Sequence, residues 1–149
     1  MNPRRIICVA FSAIALAAGC KTTSEDVKTV DNRSLYDRLG GKDSITAVVD
    51  DFVTRVAADE RINRFFAQAN VPRLKKNLAD QICQATGGPC NYTGKDMKSA
   101  HQGMGISEPD FDALVQDLVA SLDTFKVGER EKGELLAALG PMKKEIVER

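Results

Sequence analysis

From about residue 34 onward, apolar residues recur at helical spacing along this chain; before that they do not. Residues 34–39 read as a short helical turn stopped by Gly40-Gly41. Asp43 or Ser44 can cap a second helix with Ile45, Val48, Val49, Phe52, Val53 and Val56 on its apolar positions. Residues 58–66 read as a short, tight connecting helix. Pro72 fits the first turn of a helix whose stripe is Leu74, Leu78, Ile82 and Ala85, ended by Gly87-Gly88-Pro89. A short helix at 96–101 is closed by Gly103 and Gly105. Ser107 and Asp110 resemble a capping pair ahead of the stripe Phe111, Leu114, Val115, Leu118, Val119 and Leu122. A last helix, about 129–148, carries Leu135, Leu136, Leu139, Met142 and Ile146, with a kink expected at Pro141. No segment alternates with strand period, so the predicted fold is all-α.

The start of the chain has a different grammar. Arg4-Arg5 precede an unbroken, mostly apolar run at 6–18, too short to span a bilayer as a helix, and Leu16-Ala-Ala-Gly then lead to Cys20. This order of positive, apolar and small residues reads as a secretory signal peptide over residues 1–19. The cysteine after the small residues resembles a bacterial lipobox, which implies lipidation of Cys20 and a bacterial envelope location, lipid-anchored and facing the periplasm. The alternative is an ordinary cleavage site with an incidental cysteine. Lys21 in place of aspartate leans towards outer-membrane sorting. Residues 20–33 have little to bury and read as a lipidated flexible tether ahead of a domain at 34–149.

Charge narrows the partners. The chain has 21 basic and 21 acidic residues, and loss of Arg4 and Arg5 leaves a mature charge near −2. No basic excess exists to hold nucleic acid or to grip anionic lipid, so membrane attachment would come from the lipid. Of the four cysteines, Cys83 and Cys90 remain once Cys8 and Cys20 are accounted for. In an oxidising compartment that pair is read as a disulfide, with two small buried thiols as the alternative.

His101 is the single histidine. Its surroundings, Tyr92-Thr-Gly94-Lys-Asp-Met97-Lys98-Ser-Ala-His101-Gln-Gly103-Met-Gly105-Ile106, resemble the proximal-helix segment of group I truncated haemoglobins. Tyr36-Asp-Arg-Leu-Gly40-Gly41, Asp51-Phe52, Phe65-Phe66 and Gly87-Gly88-Pro89 follow that family's order and spacing. The resemblance runs from Ser34 to the C-terminus. It implies a truncated globin, a two-over-two helical sandwich around haem, with His101 as the iron ligand. It also implies that Phe66 packs on the distal haem face and that Phe52 and Met97 line the pocket. Arg73, Lys75, Lys76 and Lys98 would lie beside the propionates, or else form a solvated face. No C-x-x-C-H sequence is present, so haem b would be held non-covalently.

Departures from the family pattern shape the expected reactivity. Positions where relatives place a tyrosine and glutamines are Val53, Leu74 and Leu78 here. Loss of a hydrogen-bond donor to dioxygen costs roughly 1–3 kcal/mol, which at about 1.4 kcal/mol per tenfold weakens binding by one to two orders of magnitude. Gln81 is the polar side chain expected within reach of the ligand, with a solvent-facing position as its alternative. Asn77 occupies the place where some relatives supply a second histidine, so a five-coordinate ferrous haem follows. The expected function is binding of diatomic gas (O2, NO or CO), in a sensing or redox role rather than oxygen storage. The alternative is a haem enzyme that oxidises NO or reduces peroxide. No particular redox partner is implied.

Overall fold

Gly40 and Gly41 take φ of +89° and +74°, the left-handed region where a Cβ is strained, and here the chain turns sharply between its first two helices. In the computed structural model, which describes residues 31–147, these are α1 (Leu35–Arg38) and α2 (Gly41–Ala58). The start of α2 differs from the expected one: Gly40 is its N-cap, without a side-chain cap, and Asp43 sits inside its first turn. Turn geometry sets this boundary, whereas a search for capping side chains looks three or four residues too late.

The connecting helix shrinks to a single 3-10 turn at Asn63–Phe65. Then α3 (Val71–Ala85) starts where the Asn70 side chain accepts the Arg73 amide, with Pro72 in its first turn. α4 (Met97–His101) is capped by Asp96, and α5 (Glu108–Thr124) by a reciprocal box between Ser107 and Asp110. Pro141 does break the last helix. α6 (Glu129–Leu139) passes through a 3-10 turn at Gly140–Met142 into the short α7 (Lys143–Ile146). Among the described residues there is no strand, and no helix is long and apolar enough to cross a membrane. The proposed signal peptide, Cys20 and all of the tether but its last three residues lie outside the described residues.

The core is built on α2. Its buried face, Ile45, Val48, Val49, Phe52, Val53 and Val56, packs against α3 and α5 in one core with Ile82, Cys83, Ala113, Leu118 and Leu122, which Leu135 of α6 joins. Each such side chain contributes roughly 1.5–3 kcal/mol on burial, so α3 and α5 are fixed over their middle turns. α6 closes against α3 and α1. Arg38, whose side chain is 7% exposed, ties α1 to α6 by donating to Glu131 (2.6 Å) and Glu134. Both carboxylates hold its guanidinium pKa above the usual value, the Glu134 hydrogen bond most strongly.

Candidate functional site

α3 and α4 both line a cavity of about 720 Å³. Its volume lies within the roughly 300–1,000 Å³ typical of cofactor and small-molecule sites. Leu74, Asn77, Leu78, Gln81 and Ile82 line it from α3, while Met97, Ala100 and His101 line it from α4. Phe52, Phe65 and Phe66 close one end, and Phe111, Leu114, Val115 and Leu118 of α5 add a further apolar wall. Most of this lining is hydrocarbon.

His101 is the one imidazole, and its orientation follows from its own helix. Asp96 accepts the Ser99 amide at 2.9 Å, starting the turn that carries Met97 and His101 on one side. That amide, with the Ser99 side chain next in effect, holds the Asp96 carboxyl below its usual range. His101 Nδ1 lies 2.7 Å from the Met97 carbonyl oxygen. A carbonyl can only accept, so Nδ1 carries the proton, and the neutral ring keeps its lone pair on Nε2. A hydrogen bond of this kind fixes tautomer and ring direction in metal-binding histidines.

Sequence-predicted residues divide into those on the cavity wall and those off it. His101, Phe66, Phe52, Leu74, Leu78, Met97, Gln81 and Arg73 line the cavity. Val53 does not: it is buried in the core, 7% exposed, and its short side chain ends among neighbours of α2. Lys98 is exposed and off the wall, because it follows Met97 by one residue and points away from the cavity side of α4. Lys75 and Lys76 are also off the wall, turned to Asp50 (2.9 Å) and Asp80 (2.6 Å). Instead, Lys95 and Lys143 join Arg73 around the cavity. Lys143 is held by Glu108 (2.9 Å) and Asp112 (3.4 Å) over the ring of Phe111. As a charged residue between Met142 and Ile146 of the apolar stripe, it gives no periodic signal of its own.

Besides Arg73, the polar groups on the α3 wall are two amides. Asn77, aligned where some relatives supply a second histidine, lines the cavity. The Gln81 Nε2 donates to the sulfurs of Met97 (3.4 Å) and Met142 (3.3 Å), so it bridges α3 to α4 and to the 3-10 turn before α7. Thioethers are weak acceptors. Tyr92 also reaches the cavity, its hydroxyl donating to the Lys95 carbonyl at 2.7 Å. Burial, with Asp96 nearby as a lesser cause, raises the phenol pKa above its usual value, so it stays protonated at neutral pH.

Among the described residues no group of three or more His, Cys, Asp or Glu side chains is placed to hold a metal ion. One imidazole on the wall of a largely apolar cavity, whose lining carries Arg73, Lys95 and Lys143 beside Asp110 and Asp112, suits a planar macrocycle that brings its own metal and carries anionic substituents. The sulfurs of Cys83 and Cys90 are bonded to each other, with Cα atoms 5.7 Å apart.

The family model for bacterial-like globin matches residues 34–148. A "Group 1 truncated hemoglobin GlbN" of Mycolicibacterium paratuberculosis is 39% identical over 113 residues, covering 76% of this chain and 83% of that protein. The namesake from Synechocystis is 33% identical over 111 residues, covering 72% and 90%. Among solved structures, the truncated hemoglobin of Tetrahymena pyriformis in its Fe(III) form superposes with a TM-score of 0.76 at 31% identity, covering 78% of this chain and all of that one.

Proposed function

The chain belongs to the bacterial-like globin family and has the truncated globin fold, and from this we propose that it holds haem b through His101 and binds a diatomic gas. One observation carries the reading: the His101 ring, fixed by the Met97 carbonyl, stands on the wall of an apolar cavity of about 720 Å³. Haem, when bound, would supply an iron able to take O2, NO or CO. The other contributions are the chain's own. His101 Nε2 would hold the iron, and because the chain has no second histidine, a bis-histidine pair cannot form within it. Phe52, Phe66, Leu74 and Leu78 exclude water from the opposite side, and the two leucines offer no hydrogen bond to a ligand. Arg73 and Lys95 are the cations suited to the propionates.

This arrangement supports gas binding or sensing with weak dioxygen retention over oxygen storage. The purified protein should show a Soret band that shifts with CO in the ferrous state. A colourless protein after haem reconstitution, or dioxygen release as slow as from a storage globin in stopped flow, overturns the reading.

We further propose that the chain is exported and anchored to the envelope by lipid on Cys20. The leader pattern supports this, and so does the Cys83–Cys90 bond, which persists in oxidising compartments. Labelled palmitate should enter the native protein and not Cys20→Ser; equal labelling of the two removes the proposal.

A further inference from the structure

Cys83 is 1% exposed at the last turn of α3, the helix that presents Leu74, Leu78 and Gln81 to the cavity. Its partner Cys90 is half-buried and opens the segment that brings Tyr92 and Lys95 to the same cavity. That segment has no regular secondary structure and ends at Asp96, the cap of α4. The covalent bond therefore joins one cavity wall to the approach of the other. Beside it, the Tyr92 amide donates to Gln84 Oε1 (2.7 Å), a side chain on an exposed residue. Backbone packing is tight here: a Cβ on Gly88 would sit 2.6 Å from Cys83 Sγ and 2.5 Å from the Tyr36 ring.

We propose that the thiol–disulfide state of Cys83 and Cys90 sets how firmly the chain retains haem, an inference that rests on the haem reading above. The bonded form holds residues 90–96 in place and with them the start of α4. The dithiol releases that segment and lets His101 leave its productive position. The bond forms by exchange with a disulfide donor. The more accessible Cys90 thiolate attacks the donor's disulfide and displaces one donor thiolate. Cys83 thiolate then attacks the Cys90 sulfur and displaces the second. Two electrons and two protons pass from the cysteine pair to the donor, which leaves as a dithiol. The reverse is slow, because an attack on Cys90 must expel a thiolate from the apolar surroundings of Cys83, where burial disfavours the charge. Haem retention is thus acquired once, when the chain meets an oxidant, and then kept.

The test loads the full chain with haem and follows transfer to excess apomyoglobin. Three forms are compared: the oxidised protein, the same protein treated with a phosphine reductant, and the Cys83→Ser, Cys90→Ser double variant. Haem should leave the last two about tenfold faster. Amide hydrogen exchange on the haem-free forms should rise over residues 90–101 while the buried face of α2 stays protected. Equal transfer rates overturn the proposal, as does exchange that rises uniformly through α2 and α5, which marks a purely global stabiliser. If the oxidised protein takes up no haem at all, the haem reading falls and takes this proposal with it.

Discussion

The two walls of the cavity are held by different physics. α3 has fifteen residues and buries Ala79, Asp80, Ile82 and Cys83 against α2; α4 has five residues and buries none. A helix as short as α4 has no stability of its own in water. It persists because Asp96 caps it, because Gly103 and Gly105 turn the chain at φ of +78° and +60°, and because α7 packs against it. The wall that screens the ligand is thus part of the hydrophobic core, while the wall that carries the imidazole rests on a cap, two glycine turns and the short α7. Damage to the first should register as lost stability, and damage to the second as lost cofactor.

The largest expected effect follows from removing the imidazole. His101→Ala should abolish the Soret band and weaken haem uptake on the order of 100-fold or more, with far-ultraviolet circular dichroism unchanged and binding restored by free imidazole. A stable Soret band in this variant would end the assignment of the α4 wall. Next comes a change of character on the other wall. Leu78→Gln should add about 1–3 kcal/mol of hydrogen bonding to bound dioxygen, slowing its release roughly tenfold or more by stopped flow.

A smaller pair of changes separates the walls directly. Asn70→Ala and Asp96→Ala each remove an N-cap worth about 1 kcal/mol. The first should lower the thermal midpoint, and the second should speed haem loss a few-fold with little change in the midpoint. Identical behaviour of the two variants would dissolve the distinction. The smallest effect is in acid. Hydrogen bonds to the Ser99 amide and side chain, and to the Ser107 hydroxyl and amide, hold the Asp96 and Asp110 carboxyls below their ordinary 3.8. Their stabilisation is complete above that value and is lost as pH falls through the lower folded values. Hydrogen exchange in α4 should therefore increase below about pH 4, and Asp96→Asn should flatten that dependence.

The walls also differed in how much of them could be read from the sequence. α3 and α5 announce themselves through long apolar stripes, Pro72 and the Ser107–Asp110 box, so their cavity-facing leucines were legible. His101 was legible through its glycine neighbours. Val53 misled because alignment gives a position on a helix but not the reach of a side chain, and valine stops inside the core. The Arg38 pairing with Glu131 and Glu134 joins residues more than ninety positions apart and leaves no local trace. Lys143 escaped for a different reason: the apolar stripe counted through Pro141 does reach the cavity at Met142 and Ile146, but a charged residue beside it adds nothing to an apolar period.

The 3-10 turn at Gly140–Met142 has a consequence for proteolysis. It swings α7 back under α4, where Ile146 is buried and also lines the cavity. A carboxypeptidase that digested the chain back to Met142 would leave α2, α3, α5 and α6 whole. The helical fold would survive while the support under α4 was trimmed away one residue at a time, and on the haem reading the protein would pale as it went.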